Sequence, residues 1–281
     1  MWHFSLIFLP VLFFYYKLTL NKFYSKAILT GKVIIITGTN RVSYETALDL
    51  AKRGARVILT SSDKDKGAKL LKKIIRKSKN QNVSFEYTNF NSLTSVRKFV
   101  EGFRNTQLKL DVLVLNNEVN ASDKDVGISP HVSNYYGQFL LTILLVPTLK
   151  KSAPSRVIVT TSCLQKFGKI NNLNAKGFQS YFNSKLCYGL FSSELSQRLD
   201  SYGVSVRSAA IGMLYEILKG TIFEKIFSMY TSQNVIHLAV SDEEFEDDFE
   251  NIDKRDIIGN SAEKLWTMSE EWVNLESSEK I

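Results

Sequence analysis

From Gly31 onward, short apolar runs alternate with longer stretches whose apolar positions recur at helical spacing. The runs are Val33–Ile36, Arg56–Leu59, Val83–Tyr87, Asp111–Leu115, Arg156–Thr160 and Val204–Ala210. Most are continuously apolar rather than alternating, the pattern of strands buried on both faces. Between them the spacing predicts helices over Glu45–Arg53, Lys64–Lys79, Leu93–Phe103, Ser133–Lys150 and Ser180–Asp200. Strand–helix alternation implies a parallel sheet with right-handed crossovers and helices on both faces. There is no internal repeat and no Pro- or Gly-rich linker, so residues 31–281 are expected to form one doubly wound α/β domain. In such a sheet, ligands bind beyond the carboxyl ends of the strands. Those ends carry Thr37-Gly38-Thr39-Asn40-Arg41, Asn116-Asn117 and Ser162, with Tyr181 and Lys185 on the helix that follows Ser162.

The amino-terminal stretch follows another pattern. Met1–Tyr16 holds no Lys, Arg, Asp or Glu, and Lys17 can snorkel, so residues 1–20 reach the roughly 20 residues a bilayer helix needs. They are expected to form a membrane anchor helix, with residues 21–30 a basic linker. Lys17, Lys22, Lys26 and Lys32 follow, which by the positive-inside rule leaves the domain in the cytosol. A cleaved signal peptide is the competing expectation, weakened by the absence of a charged front and a small-residue cleavage site.

An apolar content of 44% with 23% charged residues is enough for an ordinary core. The net charge of +8 hides an acidic segment, Asp242–Asp253, with eight carboxylates and no Lys or Arg. Lys64–Lys79 in contrast holds eight basic residues, either a solvated helix face or a surface drawn to anionic lipid. No aromatic–basic interleaving accompanies it, which argues against a nucleic-acid partner. Cys163, Cys187 and three scattered histidines show no disulfide or metal spacing.

Tyr181-Phe-Asn-Ser-Lys185 carries the chemistry. Residues four apart share a helix face, where an ammonium favours the phenolate and lets the phenol pass a proton. A serine hydroxyl from a strand end could hold a carbonyl oxygen beside it. These are the parts of a carbonyl–alcohol redox site. Taken alone, the spacing is a weak signal whose default is a half-buried tyrosine beside a solvated lysine.

Several segments resemble the short-chain dehydrogenase/reductases, especially the membrane-anchored retinol dehydrogenase-like group. They are Thr37-Gly38-Thr39-Asn40, Leu108–Asn117, Asn134–Thr142, Lys150–Val159 and Leu265–Glu271. The resemblance implies a Rossmann-type sheet and four roles. Tyr181 is the general acid/base, Lys185 tunes it and holds the nicotinamide ribose, Ser162 binds the substrate oxygen, and Asn134 positions a relay water. It also implies a dinucleotide held by Gly38, Thr39, Asn40, Arg41, Val42, Asn89, Asn116, Tyr181, Lys185 and Gly212. Endoplasmic reticulum is the expected membrane.

The cofactor half departs from the family pattern. Val42 and Tyr44 stand where the nucleotide loop has its second and third glycines, and Glu118-Val119 where Ala-Gly follows Asn-Asn. Asn89 replaces an aspartate, Ile211-Gly212 a Pro-Gly, and Glu216 a threonine. Arg41 matches a position that meets the 2′-phosphate of NADP, while Ser62 lacks the second arginine, so the expected cofactor is NADP(H), with NAD(H) open. Ile222, Phe223, Ile226, Phe227 and Tyr230 recur at helical spacing, either as core or as a lid for a lipophilic substrate such as a retinoid, steroid or fatty aldehyde. Two functions stay in view: hydride transfer between NADP(H) and a lipophilic alcohol or carbonyl, and a membrane-tethered pseudoenzyme scaffold that holds dinucleotide poorly. The intact Ser162, Tyr181, Lys185 and Asn134 favour the enzyme. A homo-oligomer stays open.

Overall fold

Six parallel strands in the order β3-β2-β1-β4-β5-β6 form one sheet in the computed structural model, which describes residues 25–116, 130–211, 220–221, 224–241 and 257–281. The strands are β1 (Val33–Thr37), β2 (Arg56–Ser61), β3 (Val83–Tyr87), β4 (Val112–Leu115), β5 (Ser155–Ser162) and β6 (Val204–Ile211). Helices α1 (Arg41–Lys52), α2 (Lys64–Ser78), α3 (Leu93–Thr106), α4 (Pro130–Lys151) and α5 (Gly177–Leu199) make the crossovers, followed by α6 (Glu224–Val240) and α7 (Ile257–Trp272). The doubly wound sheet expected from the polarity pattern is therefore present.

The central strands are apolar throughout because helices cover both faces. All of Val33–Thr37 and Val112–Leu115 are buried. One face packs β1, β4 and β5 against α3, α4, α5 and α7; the other packs β1 and β2 against α1 and α6. Phe227 joins that second layer, with Ile226 and Tyr230 packed against it. This part of the suggested lid is thus core. Ile222 and Phe223 lie outside the described residues, as do Asn117, Glu118, Val119, Gly212, Glu216 and the acidic segment. So do residues 1–24; among the described residues no helix is long and apolar enough to cross a membrane.

Helix α1 begins four residues earlier than its periodicity predicts. Asn40 is its N-cap, its side-chain oxygen accepting from Ser43 N at 2.9 Å, which draws Arg41–Tyr44 into the first turn. In α2 only Gly67 and Ile74 are buried, and most of its lysines stand in solvent.

Candidate active site

The β1–α1 turn is built on Gly38, whose φ of +85° is a conformation that favours glycine. Its N–H donates to Thr60 O at 2.8 Å, and Thr39 Oγ1 lies 3.4 Å from Ser61 Oγ, so the turn is tied to the end of β2. Val42 and Tyr44 are 1% and 4% exposed, because their side chains turn into the apolar layer rather than toward the rim. Tyr44 runs under α2, with Lys73 Nζ 4.4 Å from its ring centroid. Bulk at two expected glycine positions is accommodated by packing beneath the loop.

The polar groups of the turn close on one another. Asn116, at the end of β4, donates its amide N–H groups to Asn40 Oδ1 at 2.8 Å and Ser43 Oγ at 2.5 Å. Ser43 Oγ donates to Thr37 O, and Thr160 Oγ1 lies 3.3 Å from Asn116 Oδ1. Asn40 and Asn116, both expected to meet a dinucleotide, thus serve first to lock the ends of β1, β4 and β5 together. Asn89 behaves similarly: its side-chain oxygen accepts from Asn91 N at 3.0 Å. Arg41 differs. Its Nη2 is 3.6 Å from Glu45, while Nε is buried without a hydrogen-bond partner at the head of α1. An orphaned cationic donor beside a helix N-terminus fits an anionic phosphate. Asp63, the nearest carboxylate after β2, is instead engaged in capping α2 through Lys66 N.

Ser162 ends β5, is buried, and lies in register with Ile211 of β6. Its hydroxyl accepts from Leu164 N at 3.3 Å, which starts the 3-10 turn Cys163–Phe167. That turn is pinned onto α5. Gln179 Nε2 donates to Phe167 O and to Asn183 Oδ1, Lys169 N donates to Asn183 Oδ1 at 2.8 Å, and Asn183 Nδ2 donates to Asn172 O. Close approach requires glycine at 168, where a Cβ would meet Leu186 Cβ at 2.5 Å and Phe182 O at 2.7 Å, whereas one at Gly189 would only displace the end of the Gln165 side chain. Ser162 and the Tyr181 helix are therefore held by one clamp. Gln179 and Asn183 were not singled out from sequence, although Asn183 sits inside the Tyr181–Lys185 segment and is fully buried.

Tyr181 is half-buried, and Lys185 is only 1% exposed, its Nζ 5.0 Å from the Tyr181 ring centroid. Burying an ammonium is costly, so this lysine beside a phenol is not a solvated surface pair, and the arrangement fits a catalytic site. Asn134, buried in α4, faces the Tyr188 hydroxyl of α5. That proximity offsets part of the burial that pushes the Tyr188 phenol well up, yet the pair lacks hydrogen-bond geometry and Asn134 Nδ2 has no protein partner. Burial likewise raises the Cys187 thiol to about 12, as expected of an inert packed cysteine. Among the described residues no group of His, Cys, Asp and Glu could hold a metal. A cleft lined by Val132, Tyr136, Leu173 and Met268 opens on the face of α4 turned away from Asn134.

The clamp carries a prediction. Asn183→Ala removes one donor and one acceptor that fix residues 169 and 172, losing two part-buried hydrogen bonds worth about 1 kcal/mol each. Stability should fall by about 2 kcal/mol, read as a shift of the urea midpoint, and any turnover should fall with it while dinucleotide affinity stays within about threefold. Unchanged stability would remove Asn183 from the clamp.

Residues 32–225 match the family model described as short chain dehydrogenase. The chain belongs to the short-chain dehydrogenase family. It is 32% identical over 265 residues to human retinol dehydrogenase 11, covering 84% of this chain and 83% of that one. Retinol dehydrogenase 12 of Mus musculus is 31% identical over 294 residues, covering 92% of this chain and 93% of that one. In fold it resembles a metagenomic short-chain oxidoreductase solved in complex with NADP, with a TM-score of 0.61 and 19% identity over 76% of this chain and 93% of that one. The chain is thus a retinol dehydrogenase-like member of an oxidoreductase family.

Proposed function

We propose that this short-chain dehydrogenase transfers a hydride between NADP(H) and a lipophilic alcohol or carbonyl, with its domain on the cytosolic side of the endoplasmic reticulum membrane. The dinucleotide supplies the hydride in reduction and accepts it in oxidation. Ser162 holds the substrate oxygen, Tyr181 gives or takes its proton, and Lys185 favours the phenolate and holds the ribose. Asn134, with a buried amide still open, orders a water that returns the proton to solvent. Gly38, Thr39 and Arg41 form the phosphate end, and Arg41 favours the 2′-phosphate of NADP. The similarity to retinol dehydrogenases and the uncharged Met1–Tyr16 stretch support a lipophilic substrate and a membrane anchor over residues 1–20. The observation that carries the reading is the buried Lys185 ammonium against the Tyr181 ring on the helix clamped to Ser162.

The closed Asn40–Asn116–Ser43 network favours the second reading, a scaffold that binds dinucleotide poorly. Fluorescence titration of the full chain with NADPH and NADH separates the two. NADPH is expected to bind, and Arg41→Ala to weaken it by about tenfold or more with little effect on NADH. Failure of both dinucleotides at millimolar concentration would establish the scaffold instead.

A further inference from the structure

In a parallel sheet every strand begins at the same rim, opposite the rim that carries Tyr181 and Ser162. The segments leading into β1, β2, β3 and β5 are 25–32, 52–56, 76–82 and 150–156. Together they hold eleven Lys and Arg and no Asp or Glu. Neighbouring strands lie about 4.8 Å apart, so this charge spreads over a rim roughly 20 Å long.

The rim is one continuous surface. Asn80 Nδ2 donates to Ala51 O and Ala55 O, joining the approach to β3 with that to β2. Arg53 donates to Ser25 O and Ala27 O, joining β2 to the entry of β1. Asp111 accepts from Val33 N and pairs with Lys32 at 2.9 Å and Lys109 at 3.0 Å, joining β1 to β4. Leu110 N donates to Ser152 Oγ, joining β4 to β5. That single buried carboxylate is shared by two lysines, Arg53 and Arg156 are spent on protein acceptors, and Lys26, Lys52, Arg56, Arg76, Lys77, Lys79 and Lys151 stand exposed around two aliphatic side chains, Ile28 at 81% and Leu108 at 91%.

We propose that this rim rests on an anionic lipid surface, with the Tyr181 rim turned away from it. Clustered lysines and arginines are drawn to anionic headgroups, each by roughly 1 kcal/mol, and exposed aliphatics between them can enter the interface. Chain connectivity supports the same placement. Ser25 is fixed at this rim, and the five residue steps from residue 20 span at most about 18 Å. An anchor over residues 1–20 therefore holds the bilayer close to the basic rim. The inference rests on the anchor reading for this second argument alone. Its consequence concerns the substrate: the catalytic rim stands one strand length, roughly 20 Å, above the headgroups. A lipophilic substrate must then leave the bilayer, or be handed over by a carrier, to reach Tyr181.

Full-length chain carrying a photoreactive phenylalanine derivative in place of Leu108, or separately of Phe178, tests this. Phe178 is 84% exposed in the first turn of α5, on the catalytic rim. Each protein is reconstituted with phosphatidylcholine vesicles with or without phosphatidylserine, irradiated, and scored for lipid adducts by mass spectrometry. Residue 108 should give adducts that rise with phosphatidylserine and fall with salt, and residue 178 should give few. The variant Arg56→Glu/Lys79→Glu/Lys151→Glu should lose the residue-108 adduct by about tenfold or more. A vesicle-bound chain labelled at 178 but not 108, or at neither, would overturn the proposal, as would a chain bound to neither vesicle type. Binding only to phosphatidylserine vesicles, reversed by salt and with 108 labelled, would sink the anchor reading while supporting the rim.

Discussion

Tyr181→Phe is expected to lower turnover by about 10²–10⁴-fold, the usual contribution of a positioned general acid or base. The substitution removes only the hydroxyl. The ring that Lys185 faces at 5.0 Å, and that meets Phe182 edge-on at 6.3 Å, is retained, so α5 and its clamp onto residues 163–172 should be unchanged. NADPH affinity should therefore stay within about threefold while turnover of a lipophilic carbonyl probe collapses, a loss in kcat with KM little altered. Lys185→Met gives a different split. It keeps the buried volume but deletes the ammonium, so turnover and NADPH affinity should fall together if, as proposed, one group serves both phenol and ribose. Turnover in Tyr181→Phe equal to that of the parent chain would remove the phenol from the mechanism. Loss of NADPH binding in the same variant would instead mean that the hydroxyl is a cofactor ligand first.

The parts of the molecule that depend on polarity along the chain were legible in the sequence. The predicted runs became the six strands within one or two residues at either end; β1 and β4 were clearest because burial on both faces leaves few polar residue types acceptable, while the edge strands β3 and β6 carry polar, part-exposed positions. Tyr181 and Lys185 were legible because helical spacing alone puts them on one face. The parts that depend on side-chain direction were not. Val42 and Tyr44 read as obstructions in the nucleotide loop, but the Asn40 cap starts α1 early and turns both side chains into the layer beneath. Asn40 and Asn116 read as cofactor ligands, yet each finds a partner in the other across β1 and β4, a contact between residues 76 apart that no local pattern encodes. Phe227 has the spacing of a lid and of a core helix alike, and only its packing against α1 decides between them. Asn183 looked like filler between Tyr181 and Lys185 because its partners, residues 169 and 172, belong to an irregular turn.

Gly137→Ala should be among the most destabilising single substitutions in the chain. Gly137 lies in α4, three residues after Asn134, where the helix presses on the loop that follows β3. A Cβ there would come within 1.9 Å of Phe90 O, 2.6 Å of its carbonyl carbon and 2.8 Å of its Cα. All three are backbone atoms, so no side-chain rotation relieves the clash; α4 or the 89–92 turn must move. Ordinary overpacking costs about 1–3 kcal/mol, and a backbone collision should reach or exceed the upper end. For a domain of this size that corresponds to a fall in Tm of roughly 10 °C. Because the displaced elements carry Asn134 on one side and Asn89 on the other, dinucleotide affinity and turnover should decline even at temperatures where the variant is folded. Gly102→Ala supplies the opposite sign. It lies in α3, where nothing stands within 4 Å of the added methyl, and replacing glycine by alanine inside a helix should raise stability by about 0.5–1 kcal/mol. Thermal unfolding of the two variants beside the parent chain tests both. A Gly137→Ala protein with unchanged Tm would mean that α4 does not approach Phe90 as closely as the fold requires, and the placement of Asn134 at the site would fall with it.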